Sequence, residues 1–295
     1  MPFSRYVGSN FEFGTLLTKK PDTPALSAAD NSHIPIGLLK LPHPGDDTHI
    51  GILREWLNDC DKHGCVPVTV QTYCPRRLLY VGETPDKPCC RLVETAQLGS
   101  QRRNLRYIAL SHPWGDPAAH DHFKTTKRNL PEYVKGIDES KLPQNFKDAI
   151  IVTRGLALSY LWIDSICILQ AVDGDTGDFL DEAEHMQDIF SSAYCVIAAS
   201  SAKGMSDGFL NLHTDDAHVV ALPLRGTGKP HPAQFYISDI IDDFERDVEQ
   251  GSLNQRGWVL QERALARRTI YFTENQTYWE CGKGIRCETL SKLKR

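Results

Sequence analysis

The chain has 295 residues, 41% of them hydrophobic, and a formal net charge of −5. That length and apolar fraction suit one large packed domain, alone or with appendages, and the acidic balance leaves no basic footprint for nucleic acid or an anionic membrane. Nine irregularly spaced cysteines and an amino terminus without signal character predict free thiols in a reducing, cytoplasmic setting, and no run reaches the ~20 apolar residues of a membrane span.

Residues 1–47 are rich in Pro, Ser, Asp and Thr and read as a variable, partly ordered extension. Residues 48–100 read as a lead-in packed on the core. Within it Ile52, Leu53, Trp56, Leu57 and Cys60 recur at helical spacing, and Leu78 to Val81 with Cys90 to Val93 form a small two-stranded element. Cys60, His63 and Cys65, with Cys74 or the Cys89–Cys90 pair nearby, offer enough ligands for zinc, but their spacing departs from paired CxxC modules and no metal is expected.

The core, residues 101–295, opens on Tyr107-Ile-Ala-Leu-Ser-His-Pro-Trp-Gly115, whose unbroken apolar run predicts a short strand buried on both faces. The polar stretch from Asp116 to Pro143 is long for a connection and reads as functional or as holding its own short helix. Pro143 to Leu158 follows as a helix, with Phe146, Ala149, Ile150, Thr153 and Ala157 on one face. Leu161-Trp-Ile-Asp-Ser-Ile-Cys-Ile-Leu-Gln170 is a second buried strand, with Asp164 at its middle, so the unit is βαβ and the sheet mostly parallel. A turn over 173–178 leads to a helix from about Phe179 to Ala193, then to a third buried strand, Tyr194 to Ala199. Residues 204–250 carry no clear pattern. Arg256-Gly-Trp-Val-Leu-Gln-Glu-Arg263 opens a helix to about Ala266, and Thr269 to Thr273 with Thr277 to Cys281 forms a hairpin.

In parallel sheets ligands sit beyond the carboxyl ends of the strands. Ser111, His112, Trp114 and Gly115 from the first block, and Asp164 to Gln170 from the second, are therefore expected to face one crevice. Asp164 either orients Ser111 or His112, binds a ligand hydroxyl, or accepts backbone N–H groups. Trp114 offers a ring face to a base or sugar, or else plugs the sheet end. Arg256, Gln261 and Glu262 surround Trp258 and either complete the crevice or form a buried Arg–Glu pair. On the helix from Phe179, Glu182 falls inside the apolar arc of Phe179, Ala183, Met186, Ile189, Phe190 and Ala193. A carboxylate there is desolvated, which marks it as a functional candidate or as the partner of a structural arginine. The absence of G-x-S-x-G, GxGxxG, P-loop and HExxH motifs sets aside the serine hydrolase, dinucleotide-fold, P-loop and zincin chemistries.

The three blocks resemble the signature of the fungal heterokaryon incompatibility (HET) domain. His112 replaces a Tyr, Val259 replaces a Thr, and Phe179 and Phe190 replace other aromatics of that pattern. The resemblance implies a cytoplasmic role in non-self recognition and programmed cell death, with self-association on activation. It also implies distant similarity to TIR domains, and so a TIR-like, flavodoxin-like α/β sheet flanked by helices. Catalytic TIR domains use the Glu of a Trp-x-x-x-Glu-like segment to cleave the nicotinamide–ribose bond of NAD. Carried onto this sequence, the resemblance makes Glu182 the catalytic carboxylate, Asp164 its orienting partner, and NAD or a related nucleotide the substrate, with no further cofactor. Ser111, His112, Trp114, Gly115, Gln170, Arg256, Trp258 and Glu262 are then the nucleotide-binding set. A non-catalytic self-associating module that recruits a death effector is the alternative.

Overall fold

A computed structural model describes residues 15–16, 42–65, 73–82, 90–118, 121–172, 174–211, 220–223, 234–237, 243–288 and 292–293. Most of the amino-terminal extension and much of 204–250 lie outside the described residues, as do Cys89 and the side chains of Trp258 and Gln261.

The core is one nine-stranded sheet. In chain order its strands are β1 (Arg77–Tyr80), β2 (Arg91–Glu94), β3 (Ile108–Ser111), β4 (Tyr160–Trp162), β5 (Cys195–Ala198), β6 (Arg268–Phe272), β7 (Thr277–Cys281), β8 (Gly284–Cys287) and β9 (Lys292–Leu293). They lie in the order β9-β8-β7-β6-β5-β3-β4-β1-β2. Only the central four, β6, β5, β3 and β4, are mutually parallel; β1 joins β4 and β7 joins β6 antiparallel. The expectation of a mostly parallel sheet is corrected to a mixed one, because each flank is built from hairpins. A separate small antiparallel sheet pairs Gln234–Ile237 with both Thr15–Leu16 and Val220–Pro223.

The helices are α1 (Asp47–His63), α2 (Leu130–Lys135), α3 (Gln144–Gly155), α4 (Asp164–Cys167), α5 (Phe179–Ala183), α6 (Met186–Ser192) and α7 (Gly257–Leu265). Asp46 caps α1 by accepting from the His49 N–H at 2.7 Å, and the helix buries Ile50, Leu53, Trp56, Leu57 and Cys60. Right-handed crossovers place α3, which runs from β3 to β4, on one face, and the later helices on the other. The packing agrees: α1 meets α3, and α6 meets α7. Strands β3, β4 and β5 are buried almost throughout, with Ile108, Leu161, Cys195 and Ile197 fully enclosed.

Three local readings change. The second block is a strand only to Trp162; Asp164 opens the one-turn helix α4 and is not mid-strand. Its carboxylate accepts the Ser165 N–H at 2.7 Å, which favours the turn. The helix from Phe179 breaks at Glu184 and His185 into α5 and α6, and Phe179 is exposed, outside any apolar arc. Ala157 lies beyond α3 with a left-handed φ of 58°, where the chain turns towards β4. The long connection after Gly115 does hold a short helix, α2.

Candidate functional site

Numbered along the chain, the parallel strands lie 2-1-3-4, so the direction of winding reverses between β3 and β5. Connections leave such a point to opposite faces, and a crevice opens at the carboxyl ends of those two strands. Ser111 is the last residue of β3, and beyond it the chain passes through His112 and Trp114. Arg256 and Glu262, at the start and in the body of α7, approach from the other side.

These residues meet. The Ser111 hydroxyl donates to Glu262 Oε2. Asp164 Oδ2 accepts from Trp114 Nε1 at 2.8 Å, and its Oδ1 lies 3.3 Å from His112 Nε2. Arg256 Nη1 donates to the His112 carbonyl at 2.7 Å. Gln170 Nε2 donates to the carbonyls of Asp164 at 3.3 Å and Ile168 at 3.2 Å, so it braces α4 from behind. Ser111 and His112 are buried, while Asp164 keeps 28% of its side chain exposed. The His112 ring also meets Phe146 edge-on, which fixes it against α3.

The two carboxylates are driven apart. Burial raises the Asp164 carboxyl, but the neighbouring His112 ring and hydrogen bonds from Trp114 and the Ser165 amide outweigh it and hold the pKa below its usual value. Burial pushes Glu262 up to about 7; the Ser111 hydrogen bond and Arg256 oppose the rise, and the negative charge of Asp164 adds to it. A carboxyl poised near neutrality beside an ionised one is the pattern expected of groups with separate chemical tasks.

Gly115 has a φ of 91°, and a Cβ there would stand 3.1 Å from the Gly204 Cα. Its close approach is to the 204–210 segment, which Asn145 and Asp148 of α3 hold by hydrogen bonds to Gly204, Gly208, Phe209 and Leu210. Beyond Trp114, whose ring meets His122 edge-on, lies a cavity of about 760 Å³. Lys124, Lys141 and Lys147 line it together with the amino end of α3 at Pro143 and Gln144, against a single acid, Asp121. Only the unusual length of the loop between Asp116 and Pro143 pointed towards this cavity.

Glu182 is buried, as its helical position predicts, with 3% of the side chain exposed. Burial raises its pKa and Arg76, 3.3 Å away, opposes the rise. It sits with Asp178, Arg76 and Arg77 at the carboxyl end of β4, and no contact found among the described residues joins it to Ser111, Asp164 or Glu262. The geometry thus gathers Ser111, His112, Trp114, Asp164, Gln170, Arg256 and Glu262, and leaves Glu182 in a separate ion-pair cluster.

The family profile described as heterokaryon incompatibility protein (HET) matches residues 107–262, more than half of the chain. The chain belongs to the HET family. The match begins at the first residue of the β3 block and ends on Glu262, so the HET segment spans every residue of the crevice cluster. No curated protein and no solved structure matches the chain. No helix among the described residues is long and apolar enough to cross a membrane.

Proposed function

We propose that this HET protein acts in heterokaryon incompatibility by hydrolysing the nicotinamide–ribose bond of NAD or a related nucleotide in the crevice beyond β3. The observation that carries the reading is the Glu262 carboxyl, held on Ser111 at the switch point with a pKa near 7 beside the ionised Asp164. Loss of nicotinamide leaves oxocarbenium character on the ribose. A fixed carboxylate stabilises that charge and holds the ribose hydroxyls. Glu262 fills this role better than Glu182, whose charge is already engaged by Arg76. The lysine-lined cavity past Trp114 supplies positive charge and a helix amino end for the diphosphate.

The test is to incubate the purified chain with NAD and follow nicotinamide by chromatography. Glu262→Gln is expected to lower kcat by roughly 10²–10³, the usual effect of removing one transition-state charge contact, and Glu182→Gln to retain most activity. A folded wild-type chain that releases no nicotinamide while still killing or arresting cells overturns the enzyme reading. The reverse ranking of the two variants moves the catalytic carboxylate to Glu182.

One observation favours the non-catalytic alternative. Val172, Phe179 and Leu180 are exposed large apolar side chains on one short stretch of chain, Leu180 at 76%, as a self-association surface requires. On that reading toxicity survives Glu262→Gln and is lost when this patch is made polar.

A further inference from the structure

Cys60 and His63 stand one turn apart at the end of α1, Cys65 follows two residues on, and Cys281 ends β7. Their four ligand atoms all lie within 4.8 Å of one another. The Cys65 and Cys281 sulfurs are 3.9 Å apart, and Cys281 Sγ is 3.8 Å from His63 Nε2. A zinc tetrahedron with bonds of about 2.3 Å to sulfur and about 2.0 Å to nitrogen has edges of roughly 3.5 to 3.8 Å, so a shift of a few tenths of an ångström closes the shell on these pairs. A disulfide needs its sulfurs at about 2.05 Å, far closer than Cys65 and Cys281 stand.

The chain is built to present these groups. Gly64, with a left-handed φ of 68°, ends α1 and turns Cys65 back beside His63. Gly282, next to Cys281, leaves room for the approach, since a Cβ there would stand 3.3 Å from the Cys65 sulfur. The Lys283 amide donates to Cys281 Sγ at 3.5 Å, the kind of outer hydrogen bond that supports a metal-bound thiolate. Cys60 is fully buried and the other three are half-buried.

We propose that Cys60, His63, Cys65 and Cys281 bind one zinc ion that ties the end of α1 to β7. Four protein ligands fill the tetrahedron and leave no open position, so the site is structural. Spacing within residues 60–65 supplied three ligands and no paired fourth. The fourth comes from β7, 216 residues beyond Cys65 in the chain, and not from Cys74 or Cys90. Metal joining groups so distant in sequence closes a long loop, and its binding free energy becomes folding free energy.

The experiment purifies the whole chain under reduction, without chelator, from cells supplied with zinc, and measures metal by mass spectrometry. One equivalent of zinc is expected. The reduced apoprotein titrated with cobalt(II) should develop the visible bands of tetrahedral thiolate coordination, saturating at one equivalent and bleaching on addition of zinc. Cys281→Ser should bind cobalt at least tenfold more weakly; if it does not fold, the wild-type cobalt titration decides alone. Absence of both stoichiometric zinc and a tetrahedral cobalt spectrum in the folded wild type overturns the proposal, as does a Cys65–Cys281 disulfide in reduced-cell lysate.

Discussion

Glu262 stands between two opposing influences, a hydrogen bond from Ser111 that favours its charge and burial beside Asp164 that disfavours it, and the second prevails. Its folded pKa of about 7 lies above the ordinary 4.5, so between those values the native state binds more protons than the unfolded one. Stability therefore falls as pH rises from about 4.5 to 7, by at most roughly 3 kcal/mol from this group. Urea denaturation across that range should show the fall in wild type and its loss in Glu262→Gln. Catalysis by the ionised form should rise with pH to a plateau above about 7. Asp164→Asn removes a neighbouring negative charge, so it should shift that limb to lower pH, measured as kcat against pH. A limb that stays in place would detach Glu262 from the rate. Little of this was legible in the sequence. A helical wheel picks out Glu182, which is buried and held by Arg76 although Phe179 and Leu180 beside it on α5 are exposed. It says nothing of Glu262, whose titration is set first by burial in the folded crevice and then by Ser111 and Asp164, residues 151 and 98 positions away.

At the scale of single elements, the shortest ones depend most on charged anchors. Asp178 precedes α5 and accepts from the Leu169 amide at 2.7 Å, from Arg76 at 3.1 Å and from the buried Arg77. This cluster fastens α5 and the end of α4 to β1, since Arg77 also donates to the Cys167 carbonyl at 3.3 Å. Arg77→Ala leaves Asp178 with a single, half-exposed arginine and should cost about 3–5 kcal/mol, read as a lower urea midpoint with an unchanged m-value. A loss below about 1 kcal/mol would show that Arg76 alone suffices. The two misread elements share one cause. Trp162 to Leu169 and Phe179 to Ala193 have the apolar content of one continuous element each, yet each is interrupted where a polar group finds a better local partner. Asp164 takes the Ser165 amide, and His185 stacks on Tyr73 with ring centroids 5.0 Å apart. Periodicity registers apolar content and is blind to such partners.

Across the whole molecule, the parallel centre was readable because unbroken apolar runs such as Ile108 to Leu110 demand cover on both faces. The flanks were not, since a hairpin such as β1–β2 carries no address for the strand it will join. Val172, Phe179 and Leu180 leave large apolar side chains exposed on one short stretch of chain. Leu180→Asp is expected to abolish concentration-dependent self-association in light scattering while leaving NAD cleavage per folded monomer within about twofold. Unaltered oligomers would place the self-association surface elsewhere.

The order of the sheet bears on how the protein can be cut. The segment matching the HET family contains β3, β4 and β5, but β4 is bordered by β1 and β5 by β6, and both of these lie outside residues 107–262. A fragment trimmed to the matched segment would carry three strands with two open edges and hydrophobic faces shorn of α1. Such edges recruit other chains. Insolubility of that fragment would reflect amputated neighbours and not an unstable HET domain, and the smallest piece worth expressing runs from α1 through β8.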